Sequence, residues 1–434
     1  MLEVTIQAWR LAAGSWQRRS STEGAIDYSP MTFFSSPARV PKSKRPEYPR
    51  YRGDMKTDVA IVGGGFTGCA CAAVFAAAGM EVVLLEAERI GTGATAAGAG
   101  LILSAFDASF QESARAHGLR AARHLWQSQR KAALELAAAL RRYRVRANLA
   151  RQDLLHVARG NPDGGRGLRR EYQARRDAGL DVTWLTPAAL RREAAIDADG
   201  AIRMRGDVID PYRACLGLAA VASRRGAQLH ERSEVRATRI GKKAVEVRTA
   251  AGVLTANTVV VATEGALPVL RALRRHLAPR QVYAVATEPL PAAVRRAVGK
   301  RAAALRDSAE PPHLLRWTED DRVLFYGAEQ PPVASRALDA TLVQRAGQLM
   351  YELTTVYPEI SGLRGESAWA LVRHDTPDRL PLIGPHRNFP RHLFALGLGR
   401  HGTAASWLAA RLLLRHHTGA IERGDDQFGF ARIL

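Results

Sequence analysis

The pattern of apolar and polar positions changes character at Asp58. Upstream, prolines at 30, 37, 41, 46 and 49 recur too often for a long helix, so residues 1–56 read as an irregular arm. Met31, inside it, is a second candidate start. Asp58-Val-Ala-Ile-Val62 is a short apolar run bounded by glycine, the signature of a buried parallel strand. Phe66 to Ala78 predicts a helix stopped at Gly79, and Glu81-Val-Val-Leu-Leu-Glu86 predicts the next strand. Strand, helix and strand in about 30 residues make a βαβ unit. Gln111 to about Arg146 is helix-rich, with no proline and few glycines. A second α/β passage follows, with a helix around Cys215 to Arg224, a turn at Gly226-Ala227, and strands at Val245–Arg248 and Thr258–Ala262. Strand-like runs at Gln281–Thr287 and Val323–Tyr326 stand between proline-rich breaks. Near the end, His392–Leu396 predicts a strand, Gly397-Leu-Gly-Arg-His-Gly402 a turn, and Thr403 to about His416 a helix. No internal repeat is present.

Chemistry enters at the first turn. Gly63, Gly65 and Gly68 form G-x-G-x-x-G between a strand and a helix. In that setting Gly63 permits the tight turn, Gly65 lets backbone approach a pyrophosphate, and Gly68 lets the helix pack on the strand. The helix start offers unpaired N–H groups and partial positive charge to phosphates. Glu86 closes the second strand 18 residues after Gly68, where a carboxylate accepts from a ribose diol and repels a 2′-phosphate. The glycine-rich loop Ile90-Gly-Thr-Gly-Ala-Thr-Ala-Ala-Gly-Ala-Gly-Leu101 favours FAD over NAD, because an extended FAD needs backbone donors beyond the first loop.

Composition alters this reading little. The chain has 434 residues, 47% hydrophobic and 24% charged, enough for two or three domains. Its net charge of +21 is nearly all arginine, spread along the whole length, which favours a surface habit over a nucleic-acid face. Cys69, Cys71 and Cys215 are too few for a zinc site and read as core residues. Val59 to Met80 is uncharged and long enough to span a bilayer, but its glycines fall in the nucleotide-fold pattern. Residues 1–21 lack the apolar core of a signal peptide, so a cytoplasmic location is expected.

Four segments resemble the D-amino-acid oxidase/glycine oxidase (DAO) superfamily of FAD-dependent oxidoreductases. They are Asp58–Gly68 with Glu86; Gly91–Leu101, where Thr95 replaces the family's serine; Asp210-Pro-Tyr through Gly226-Ala227, Glu231 and Val235 to Val259-Val-Val-Ala-Thr263; and Thr376-Pro-Asp-Arg-Leu-Pro-Leu-Ile-Gly384 with Gly397–Gly402. The resemblance implies an α/β (α+β overall) fold with a Rossmann-like FAD-binding domain, discontinuous over 57–105, 205–265 and 365–434. The substrate domain, 106–204 and 266–364, would rest on a mostly antiparallel sheet. It implies FAD contacts from Gly63, Gly65, Phe66, Thr67, Gly68, Glu86, Ala87, Gly93, Ala94, Thr95, Gly100, Leu101, Val235, Ala262, Gly397, Gly399, His401 and Gly402. No cysteine follows Cys215 and no histidine lies in Gly91–Leu101, so the FAD is expected to be non-covalent.

The implied reaction is oxidation of an amine or amino acid, with a hydride passing from substrate carbon to flavin N5 and the imine then hydrolysed. The glycine turn opening the last helix would stabilise the reduced flavin's negative charge, with His401 adding to it. Arg373, three residues before Thr-Pro-Asp, falls where glycine-oxidase-like members grip the substrate carboxylate. The acceptor of the electrons is oxygen or a protein partner. Alternatives within the same fold are a modified tRNA base as substrate and a dehydrogenase subunit serving a protein partner.

Overall fold

Five parallel strands form the first layer, in the order Gln228–His230, Val82–Leu85, Met55–Val62, Val253–Glu264 and Phe389–Leu396. The structure, a computed structural model, describes residues 32–33, 45–159, 164–265, 268–400 and 402–433. Antiparallel additions flank the layer: Val245–Arg248 with Ala237–Ile240, and Leu382–His386. Helices Phe66–Ala77, Pro211–Arg224 and Gly402–Thr418 pack together beside it. The central one is buried from Phe66 to Ala76, which explains why its sequence is apolar all round. Among the described residues no helix is long and apolar enough to cross a membrane. Cys69, Cys71 and Cys215 are free and buried in this helical layer.

The second layer is a nine-stranded sheet. Its order is Thr32–Phe33, Gly365–Asp375, Ala278–Thr287, Val323–Gln330, Leu314–Trp317, Ala303–Arg306, Asp153–Val157, Ala201–Met204 and Val182–Leu185. All neighbours run antiparallel except the first pair and the pair Ala303–Arg306 with Asp153–Val157. The expected mixed architecture is therefore present. Short strands such as Ala303–Arg306 are additions to the sequence reading. So is the helix Leu338–Val356, which covers this sheet with Leu342, Ala346, Leu349 and Leu353. Of the arm, residues 46–50 belong to no helix or strand, and Arg45 is buried with its guanidinium on Glu231 and Tyr212.

The layers meet where the parallel strands end. Trp369, on Gly365–Asp375, donates its indole N–H to Ala97 O at 3.0 Å and so ties the second sheet to the glycine-rich loop.

Candidate active site

A cavity of about 510 Å³ lies at that junction. One side is lined by Gly63, Gly65, Phe66, Thr67, Glu86, Ala87, Gly93, Ala94, Thr95, Gly100, Val235, Ala262, Gly399 and Gly402. Arg373 lines it too. Three other expected contacts stand behind the wall. A Cβ on Gly68 would fall 1.8 Å from Gly63 O, so this glycine serves helix packing. Gly397 holds a left-handed turn (φ +61°), and Leu101 is buried in a short strand. His401 lies outside the described residues.

The nucleotide end is made of backbone. Gly63 has φ +107°, and a Cβ there would sit 2.6 Å from Ala262 O. A Cβ on Gly65 would meet only Thr95 Oγ1, at 3.3 Å, so its remaining space faces the cavity. Thr95 Oγ1 accepts the Phe66 N–H at 2.9 Å and holds the second loop against the first. Gly65 lends the helix Phe66–Ala77 no side-chain cap, Thr95 takes its Phe66 N–H, and its first turn carries no acid. Its positive end is thus left for an outside anion. Glu86 accepts Gly64 N–H at 2.5 Å and Glu88 N–H at 2.9 Å. Burial pushes its carboxyl up, and those two N–H groups pull it back. A carboxylate has roughly four acceptor positions, so two remain for a diol. The helix start, the glycine approach and the spare acceptors all fit FAD.

The opposite end is made of side chains. Arg373, 5% exposed, lies near the end of strand Gly365–Asp375. Its Nη2 donates to Glu329 at 2.7 Å and to Asp375 at 3.1 Å, and its Nη1 is 3.6 Å from Asp107. Arg400, from the turn before the last helix, donates to Glu329 through Nε (2.9 Å) and Nη2 (2.6 Å). Its backbone N–H donates to Asp107 at 2.8 Å. Arg306 stands near this group, pushed down to about 10 by burial and then by the charge of Arg400. Glu264, at the end of Val253–Glu264, also lines the cavity. Burial pushes its carboxyl up to about 7. Tyr326 contributes an apolar ring set edge-on to Trp369, and its buried hydroxyl has no hydrogen-bond partner.

Residues 58–415 match the family described as FAD dependent oxidoreductase, DAO. The chain belongs to this family. It is 27% identical over 372 residues to the gamma-glutamylputrescine oxidoreductase of Escherichia coli strain K12, covering 85% of each chain. It is 27% identical over 387 residues to the glycine oxidase of Geobacillus kaustophilus strain HTA426, covering 86% of this chain and 95% of that one. The crystal structure of glycine oxidase from Geobacillus kaustophilus superposes with a TM-score of 0.71 at 22% identity, over 85% of this chain and 96% of that chain. That of L-amino acid deaminase from Proteus myxofaciens gives 0.73 at 13% identity, over 90% and 96%. These structures share the fold.

The protein is therefore an FAD-dependent oxidoreductase, and its cavity contains residues that sequence reasoning did not single out. Glu264, Arg400, and Tyr326 with Glu329 from one strand line it, and Asp107 stands beside Arg373 and Arg400. Arg400 lay within the quoted turn Gly397–Gly402, but in so arginine-rich a chain one more arginine carried no signal. The reading of strand Val323–Tyr326 stopped just short of Glu329, because Gly327 looks like a terminator.

Proposed function

We propose that this DAO-family oxidoreductase oxidises the carbon–nitrogen bond of a small amine or amino acid, using non-covalently held FAD. The observation that carries the reading is the single cavity running from the fingerprint helix to Glu264, Arg373 and Arg400. Gly63, Gly65 and Thr67 would hold the diphosphate, Glu86 the ribose, and Gly399 and Gly402 the far end of the cofactor. FAD, when bound, supplies the acceptor for the hydride that leaves the substrate carbon. The nitrogen loses a proton, a C=N bond forms, and water converts it to a carbonyl and a free amine or ammonia. Glu264 takes the nitrogen's proton: its carboxyl, near 7, changes form at neutral pH. Tyr326 and Leu371 keep the reacting carbon in an apolar setting.

No cysteine lines the cavity among the described residues, and the His374 ring is packed on Gly265, both of which support free FAD. The two relatives' names point to an amino acid in one case and an acylated diamine in the other. The test is product analysis. Holoenzyme incubated in air with a panel of amines and amino acids should release a carbonyl, trapped as a hydrazone, with stoichiometric amine or ammonia. Hydrogen peroxide in the same tube marks oxygen as acceptor; its absence, with turnover restored by an artificial acceptor, marks a protein partner. Acid precipitation should leave FAD in the supernatant. A yellow pellet contradicts the non-covalent reading, and absence of carbonyl from every amine contradicts the reaction.

A further inference from the structure

The arginine pair at the side-chain end is already holding a carboxylate. Glu329 takes both fork bonds of Arg400, Nε to Oε1 at 2.9 Å and Nη2 to Oε2 at 2.6 Å. The same Oε2 accepts Arg373 Nη2 at 2.7 Å. A bidentate guanidinium with a second guanidinium at its side is the arrangement an enzyme uses for a ligand carboxylate. Here a side chain of the protein fills it. Arg373 Nε and Nη1 are buried without a hydrogen-bond partner, and Nη1 lies 3.6 Å from Asp107.

Glu329 is held in place by its own strand. Between the pairs Gln281–Gln330 and Tyr283–Gly327, strand Val323–Gln330 carries one residue more than its partner. Ala328, in that bulge, sits at φ +50°, a left-handed conformation that an alanine adopts at a cost. Bulges re-aim side chains, and this one sends Glu329, 7% exposed, into the cluster. Arg373, Arg400 and Arg306 stand among Glu329, Asp375 and Asp107, with Glu264 beside them. An incoming carboxylate would add a further negative charge and would have to displace Glu329 to reach the Arg400 fork.

We propose that Glu329 is an internal carboxylate that closes the arginine pair, so that the enzyme takes amines whose reacting carbon bears no carboxylate. This rests on the carbon–nitrogen reading above and narrows it to a substrate class. Arg373 then positions Glu329 rather than gripping substrate.

Two measurements on FAD-loaded protein test it. The first is titration with acetate and benzoate, followed by perturbation of the flavin absorbance. Wild type should give no saturable change, whereas Glu329→Ala, with the pair vacated, should bind them at least about tenfold more tightly. Equal affinity in the two proteins overturns the proposal. The second needs no variant and covers the case in which Glu329→Ala loses its flavin. Wild type is compared on matched pairs, an α-amino acid against the amine that lacks only its carboxylate. The amine should have the higher kcat/KM by at least about tenfold, and the reverse order overturns the proposal. If neither member of any pair is oxidised, the carbon–nitrogen reading fails instead. The role of Glu329 is still decided by carboxylate binding: a saturable wild-type shift rejects it.

Discussion

The two ends of the cavity are built in different ways. At the end by the fingerprint helix the wall is backbone: a turn at Gly63, an open approach at Gly65, and a helix start with no acid in its first turn. At the other end it is long side chains from strands far apart in sequence, Glu264, Glu329 and Arg373, with Arg400 from a turn. Backbone sites need particular residues at fixed spacing, so they are rigid and show in sequence. Side-chain sites need only that charged groups converge, and the convergence is set by sheet register. The first kind fixes which cofactor a chain accepts. The second leaves the substrate free to change while the cofactor stays.

Substitutions can break that contrast, and the largest effect belongs to the backbone end. Gly68→Ala would drive a Cβ to 1.8 Å from the Gly63 carbonyl, and backbone cannot yield as a side chain does. A loss on the order of 5 kcal/mol in stability is expected, with soluble protein scarce and colourless. A yellow, normally stable variant would show that helix and strand are not locked there.

Arg373→Ala probes the opposite end. Removing one partner of a buried ion-pair cluster leaves carboxylates uncompensated, so stability should fall by about 3–5 kcal/mol in denaturant titrations. An unchanged stability would show that the cluster adds nothing to the fold. If Arg373 also served a substrate carboxylate, turnover of amino acids would drop well beyond that of amines lacking the carboxylate.

Glu264 gives the pH dependence. Its carboxyl, pushed up to about 7 by burial, carries a proton below that pH and cannot accept another. The rate should fall as pH drops through about 7. Glu264→Gln should lower kcat/KM roughly 100-fold and flatten that limb. An unchanged pH profile in the variant would assign the limb to another group.

The smallest of these effects is at Glu86. Its carboxylate already holds Gly64 and Glu88 N–H groups and would add the ribose diol. Glu86→Ala should weaken FAD binding by roughly 1.5–3 kcal/mol, read by equilibrium dialysis. Unchanged retention would mean that Glu86 only braces the loop.

Legibility in the sequence followed the same division. The strand at Asp58–Val62 and the helix after it were readable because burial on all sides leaves an unbroken apolar run. Strand Ala303–Arg306 was not, because four residues with two buried positions in the middle carry no period. Helix Leu338–Val356 carries a legible stripe at Leu342, Ala346, Leu349 and Leu353. At the substrate end Arg373 was singled out from its place before Thr-Pro-Asp. Its partners were not, since Glu329 reaches it through a bulge and a strand lying between, Ala278–Thr287. No local pattern encodes that neighbour.

The central claim is that electrons leave an amine at the side-chain end and enter FAD held at the backbone end. Anaerobic titration of the yellow protein with amines and amino acids, following flavin absorbance near 450 nm, reads this in one step. At least one amine should bleach the flavin fully, in a two-electron reduction with one equivalent per site. Bleaching by a 2-hydroxy acid or a glycerol phosphate, with every amine and amino acid inert, would contradict the account.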